Sequence, residues 1–264
     1  MPACRIFPLP PSKRNNGLTA IWRENGLRAR LLLPFGQLFF ALAALRRFAY
    51  RFGFLRSERL PVPVVVVGNI IVGGAGKTPL TLWLAQRFLT LGRKPGIISR
   101  GYGRSGAGIQ KVGAGGTAFE VGDEPLLLAR RSGCPVYVGS DRAAAARALI
   151  AAHPECDLIL CDDGLQHYRL QRDVEIAVID RRCLMNGWPL PAGPLREPAE
   201  RLASVNAVVL HDTDAARVHG VPTFSMRLEG ARFYRLDEPQ ITCAAIELAG
   251  CRLHAFAGIG EPER

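Results

Sequence analysis

Val64 to Gly68 reads VVVVG, and a glycine-rich turn carries it into Lys77-Thr78 and an apolar stretch. A continuous β-branched run is the pattern of a strand buried on both faces, as in a parallel sheet covered by helices. Behind the turn, Leu80, Leu82, Leu84, Ala85, Phe88 and Leu89 recur near helical spacing between Pro79 and Leu91, and Gly92 ends the pattern. The turn itself is Ile71-Val72-Gly73-Gly74-Ala75-Gly76-Lys77-Thr78, which follows G-x-x-x-x-G-K-[ST] with Ile71 in place of the first glycine. Strand, glycine turn and helix in this order make a phosphate-binding loop. The glycines let backbone N–H groups curl around phosphates at a positive helix N-terminus. Lys77 would reach the β- and γ-phosphates of a nucleotide, and the Thr78 hydroxyl would ligate Mg²⁺. The competing reading is a plain tight turn. Against it, the chain has four lysines beside thirty arginines, and one of the four stands here.

Further strands are expected at Gly96–Ser99, Val136–Val138, Leu158–Cys161, Ile176–Ile179 and Ala207–Leu210, with a helix over Arg142–Ala152. Strands alternating with helices imply an α/β fold, a doubly wound parallel sheet of the P-loop NTPase kind. From Pro222 the pattern changes. Thr223–Leu228 and Ala231–Leu236 flank Glu229-Gly230, which reads as a β-hairpin. Leu253 to Gly260 reads as the first strand and turn of a second α/β domain, incomplete at Arg264. The expected organisation is a basic N-terminal segment (1–60), a P-loop domain (61–221), a hairpin linker (222–238) and the start of a second domain (239–264).

Charge is concentrated at one end. Residues 1–60 hold eleven Lys/Arg and two acids, and so carry nine of the eleven net positive charges. An anionic partner is implied there, lipid headgroups or nucleic acid. Leu31 to Leu45 is apolar apart from Gln37, flanked by Arg28 and Arg30 on one side and by Arg46 and Arg47 on the other. The run is shorter than the about 20 residues a membrane-spanning helix needs. It reads as an amphipathic helix in the membrane interface, with a buried core helix as the alternative. Leu and Phe form an aliphatic block rather than stacking positions, which argues against nucleic acid. Seven cysteines, with no C-x-x-C, point to free thiols in a reducing compartment.

Other polar positions stand beside the loop. Asp157 to Asp163 is an apolar strand ending in Asp162 and Asp163, where a P-loop protein places its magnesium carboxylate, and it continues through Gln166 and His167. Gly101 to Gly106 matches G-x-G-x-x-G, but no helical pattern follows, so dinucleotide binding is rejected. The loop's Arg100 and Tyr102 are instead candidates for contacting a phosphorylated or sugar substrate. Asp123 and Glu124 precede an apolar helix, and serve equally as a helix-start pair or as a base. Arg196 and Glu197 sit in a proline-framed loop that would hold a charge pair in place. His153, His211, His219 and His254 read as structural or surface residues.

Taken together, VVVVGNIIVGGAGKTP (64–79), ISRGYGR (98–104), VGDEP (121–125), CDDGLQH (161–167), PAGPLREP (191–198) and AFAGIGEPER (255–264) resemble the tetraacyldisaccharide 4'-kinase (lipid A 4'-kinase) family. Ile71 in place of the first glycine is usual there. The resemblance implies transfer of the ATP γ-phosphate to the 4'-hydroxyl of a lipid A precursor disaccharide, at the cytoplasmic face of an inner membrane. It implies that Lys77 and Thr78 handle phosphates and Mg²⁺, that Asp162 and Asp163 are the acidic pair, and that Asp123 is the general base. It also marks Arg142, Arg196 and Glu197 as further polar site residues. In the family a D-H-H motif follows the AGIG segment, so the chain is expected to be a C-terminally shortened member. The alternatives are a non-catalytic nucleotide- or lipid-binding remnant and a membrane-associated P-loop NTPase. A guanine-reading N-K-x-D motif is missing from the sequence, which counts against a GTPase.

Overall fold

All five residues of strand β1 (Val64–Gly68) are buried, and its side chains divide between two cores. Val64 and Val66 join one hydrophobic cluster, while Val65 and Val67 join clusters on the opposite face. That division is what a strand covered on both sides requires. The computed structural model describes residues 18–23, 25–214, 218–230, 232–235, 237–238, 240–250 and 252. The basic run from Arg5 to Arg14, Cys4, and the segment expected to open a second domain at Leu253 to Gly260 lie outside them.

Two helices, α1 (Leu18–Arg23) and α2 (Leu27–Arg51), precede β1. The chain continues through α3 (Lys77–Thr90), β2 (Pro95–Ser99), β3 (Gln110–Val112), α4 (Ala118–Val121), α5 (Asp123–Ser132), β4 (Val136–Val138), α6 (Arg142–Ala152), β5 (Leu158–Asp162) and β6 (Val174–Asp180). A 3-10 turn (Ala199–Ser204) leads to β7 (Ala207–His211), β8 (Thr223–Met226), β9 (Arg232–Tyr234) and β10 (Thr242–Ala244). The main sheet has eight strands in the order β3-β4-β2-β5-β1-β6-β7-β8, parallel except for β3. Ala85 of α3 and Leu126 and Leu128 of α5 pack on one face. Ala143, Ala145, Ala146 and Leu149 of α6 pack on the other. The doubly wound α/β expectation therefore holds.

The hairpin expectation does not. Thr223–Met226 pairs in parallel with β7 and is the edge strand of the main sheet, while β9 pairs antiparallel with β10. Glu229-Gly230 is a local turn signal, but the backbone of the preceding segment finds its hydrogen bonds on the open edge of β7. Strand β3 was also missed, because it is only three residues long, with Val112 alone buried, and sits among glycines.

Helix α2 extends well beyond the apolar run. Its 25 residues rise about 37 Å, so by length and composition it is long enough to cross a membrane. It nevertheless lies along the domain. Gly36 is buried against Pro189, where a Cβ would come within 2.8 Å of the proline ring. Phe40 packs against the main core, and Arg46 Nη1 donates to the Gln166 carbonyl at 3.4 Å. The opposite side carries an exposed stripe of Leu27, Leu31, Phe35, Leu38, Leu42, Leu45, Phe48 and Phe52. The spacing of three and four residues keeps them on one face. Covering each such side chain is worth about 1.5–3 kcal/mol, a strong drive towards an apolar surface.

Candidate active site

The loop after β1 is built by tethering its carbonyl groups outward. Val72 N donates to Pro194 O at 2.9 Å, and Arg196 N donates to Ile70 O at 2.8 Å. Ile71 bridges to Leu195 and is 2% exposed. The residue in place of the usual first glycine is thus a core anchor that binds the loop to the PAGPLREP segment. Arg182 donates from Nη1 to Val72 O (3.2 Å) and from Nη2 to Gly74 O (2.9 Å), while its Nε is held by Asp180 at 2.8 Å. Asn69 Nδ2 donates to Gly73 O at 3.2 Å, and His211 Nδ1 lies 3.1 Å from Ala75 O. Gly73 and Gly76 both have positive φ, 97° and 90°. A Cβ at Gly73 would meet Arg182, and one at Gly76 would meet His211. With the carbonyls occupied from outside, the N–H groups opening α3 are left to face a ligand.

Charged side chains converge on the mouth of this loop. Lys77 is buried, with Nζ 3.4 Å from Gly73 O and 3.5 Å from Asp163 Oδ1. Asp163, with φ 52°, also meets Arg196 Nη1 at 3.4 Å. Burial works against ionisation of Asp163, but Lys77 and Arg196 outweigh it and hold the carboxyl below its usual range. Asp162 ends β5 fully buried and accepts from Thr78 Oγ1 (3.3 Å) and Thr81 Oγ1 (3.1 Å). Burial, reinforced by Glu124 and Asp163, pushes it up to about 6, although Lys77 opposes this. Thr78 and Asp162 thus present adjacent oxygens, the hard donors magnesium takes. Among the described residues no cluster of three His, Cys, Asp or Glu stands ready to hold a metal alone. A P-loop magnesium does not need one, because water and phosphate oxygens complete its shell.

The remaining candidates ring this centre. Asp123 is exposed at the first residue of α5, where its Oδ1 accepts from Glu124 N at 3.0 Å. Glu124 is raised by burial and by Asp123 and Asp163, against the pull of Lys77. A Cβ at Gly122 would lie 3.1 Å from Tyr102 O, so the loop after β2 packs on the turn that opens α5. Arg100 and Tyr102 are exposed there. Arg142 is buried at the start of α6; its Nη1 donates to Gly139 O at 2.6 Å, while Nε and Nη2 have no partner. His167 falls to about 4 through burial and the nearby Arg142 and Arg100, which leaves it neutral. Glu197 is not free at the mouth. It accepts from Gln166 Nε2 (2.7 Å) and Tyr168 Oη, and lies 3.4 Å from Arg201 Nε.

Sequence reasoning missed Asn69, Thr81, Asp180 and Arg182, and it read His211 as structural or surface. One signal, already carried by Asp162, could have found two of them, Asp180 and His211. Asp162, Asp180 and His211 each end an apolar strand of the parallel sheet, so each faces the edge where such sheets bind ligands.

A parallel sheet with this loop, a lysine at its mouth and a buried aspartate beside the loop threonine defines a P-loop phosphotransferase-type nucleotide site. The family model for tetraacyldisaccharide-1-P 4'-kinase matches residues 28–264, and the chain belongs to that family, the kinases of lipid A biosynthesis. It is 54% identical over 245 residues to the tetraacyldisaccharide 4'-kinase of Azoarcus sp. (strain BH72), covering 92% of this chain and 72% of that one. It is 55% identical over 236 residues to that of Dechloromonas aromatica (strain RCB), covering 89% and 69%. The fold is similar to the crystal structure of the "apo" form of LpxK from Aquifex aeolicus in complex with ATP, with TM-score 0.68 and 33% identity. That match covers 75% of this chain and 64% of the Aquifex chain.

Proposed function

We propose that this chain transfers the γ-phosphate of ATP to the 4'-hydroxyl of a tetraacyldisaccharide 1-phosphate, at the cytoplasmic face of an inner membrane. The observation that carries this reading is the meeting of Lys77, Asp163, Thr78 and Asp162 at the mouth of the tethered loop. In it, residues 61–226 form the catalytic domain, and α2 lays its apolar stripe into the membrane beside the lipid substrate.

Each role follows from position and charge. The N–H groups of Gly73 to Thr78 hold the phosphate chain in line, and Lys77 neutralises charge on the transferred group. Thr78 and Asp162, with Asp163 behind them, would hold Mg²⁺, which when bound draws charge from the phosphate oxygens. Asp123, exposed at the start of α5, accepts the proton of the attacking hydroxyl. Arg142 offers two unpartnered buried donors to anionic oxygens. Arg196 keeps Asp163 ionised, and Arg100 and Tyr102 form the rim for the sugar. Gln166 and Glu197 brace one another, and His167 stays a neutral neighbour.

The test is transfer of label from γ-radiolabelled ATP to detergent-solubilised tetraacyldisaccharide 1-phosphate. Labelled lipid is expected from the full chain. Lys77→Ala and Asp123→Ala should each lower the rate by roughly a hundredfold or more. Labelled lipid formed at parental rate by Lys77→Ala would overturn the assignment of the loop. No label from the full chain, with ATP bound, would overturn the kinase reading for this chain.

A further inference from the structure

A cavity of about 500 Å³ opens beside the last turns of α2, away from the phosphate loop. Its lining includes Arg47, Arg51, Arg59, Arg172, Tyr50 and Tyr168. It lies towards the edge where β1 and β6 begin: Asp173 accepts from Val64 N at 2.9 Å, and Glu175 is the second residue of β6. One wall carries a run of cation–ring and ring–ring contacts. Arg46 lies 5.7 Å over the Tyr50 ring, the Tyr50 and Tyr168 rings are 6.1 Å apart, and Arg172 lies 5.2 Å over Tyr168.

The charges do not balance. Arg172 is paired with Glu175 at 3.0 Å, and Arg59 with Asp173 at 2.9 Å. Arg47 and Arg51 have no carboxylate partner among the described residues, so the cavity keeps an excess of guanidinium. Planar guanidinium forks bind phosphate oxygens in pairs. Directly beside it, the exposed rings of Phe48, Phe52 and Phe54 form a cluster, with centroids 4.2 Å apart for Phe48–Phe52 and 6.3 Å for Phe48–Phe54. An apolar aromatic cluster next to unpaired arginines matches the two layers of a membrane surface.

We propose that this cavity is a headgroup site for an anionic membrane phospholipid, separate from the site of phosphoryl transfer. Arg47 and Arg51 grip the lipid phosphate, Arg59 closes the rim, and the phenylalanines enter the acyl boundary. The site fixes how α2 lies on the membrane, and with it the orientation of the domain that α2 packs against. The inference rests on the interfacial reading of α2 and is independent of catalysis.

The experiment measures partition of the full chain onto phosphatidylcholine vesicles with and without phosphatidylglycerol, in the absence of ATP. Arg47→Lys with Arg51→Lys keeps every charge but removes the forks. This pair should lower the phosphatidylglycerol preference roughly tenfold. Arg28→Lys with Arg30→Lys, at the other end of α2, should leave it unchanged. Equal losses in both pairs, or none in either, would mean diffuse attraction and overturn the site. Binding to neither vesicle would overturn the interfacial helix along with it. Inorganic phosphate could instead protect Arg47 and Arg51 from phenylglyoxal as fully as the anionic vesicles do. With partition unaffected by the lysine pair, that result would identify a soluble phosphate as the occupant and sink the lipid reading.

Discussion

His167 shows how strongly position overrides residue type. An ordinary imidazole protonates near pH 6.5, yet burial and the neighbouring Arg142 and Arg100 bring this one down to about 4. Between those values the unfolded chain holds a proton that the folded one refuses. Stability from this group is therefore fully present above about 6.5 and is lost as pH falls towards 4. His167→Gln removes the titration. Urea midpoints at pH 7 and pH 4.5 should show the variant gaining about 2 kcal/mol on the parent at the acidic value. A gap unchanged between the two pH values would show that His167 titrates normally. The same scale explains what a motif leaves out. Ile71 breaks the glycine consensus because its side chain is a core anchor against Leu195, while Arg182 and His211 do their work by holding carbonyls of a loop they do not belong to. No local pattern around Arg182 names Val72 or Gly74 as its acceptor, because the contact joins positions more than a hundred residues apart.

Among the elements, α2 has the least ordinary surroundings: one side is exposed and apolar, and the other rests on the domain through small contacts. Gly36 is the closest approach, and its backbone leaves no room for a side chain above Pro189. Gly36→Val should force the helix away from the 189–195 segment and cost about 1–3 kcal/mol. Trp22 reports on this directly, since its buried indole N–H donates to Pro191 O at 2.9 Å. A red-shifted emission and an earlier urea transition are expected; an unchanged midpoint would mean that α2 is not seated through Gly36. Strand β8 carries the opposite lesson. Its Thr-Phe-Ser-Met pattern was legible as a strand, but not its partner, since an edge pairing depends on which other strand presents unpaired N–H and C=O groups. By contrast, α6 runs from Arg142 to Ala152 as its pattern implies, because the alanine-rich turn-to-turn periodicity is a local property and Asp141 caps it by accepting from Ala143 N and Ala144 N.

For the whole molecule, the site is a product of sheet order. The centre draws on the ends of β1, β5, β6 and β7, and on the starts of α3, α5 and α6, so a ligand there bridges many separate segments. Binding should therefore stabilise the fold as a unit. At a hundredfold excess over Kd, ATP with Mg²⁺ is expected to add about 2.7 kcal/mol, seen as a raised Tm in calorimetry. Lys77→Ala should abolish most of that rise. A full rise in the variant would place the nucleotide somewhere other than the loop. A buried ion network supports the same region, with Arg201 meeting Glu175 at 2.5 Å and Glu197 at 3.4 Å, and Glu197 in turn bracing Gln166.

The amino-acid sequence alone determined the alternation of strands and helices, the loop from Ile71 to Thr78, the acidic end of β5 and the basic, apolar character of the N-terminal region. Each is set by neighbours along the chain: periodicity, glycine placement or a run of like charge. Only the tertiary structure decided that Arg182 and His211 tether the loop, that Glu197 is bound into an ion network, that Thr223–Met226 completes the sheet, and that unpaired arginines line a cavity behind α2. Those outcomes depend on which distant segments meet, and on which polar groups burial obliges to find partners.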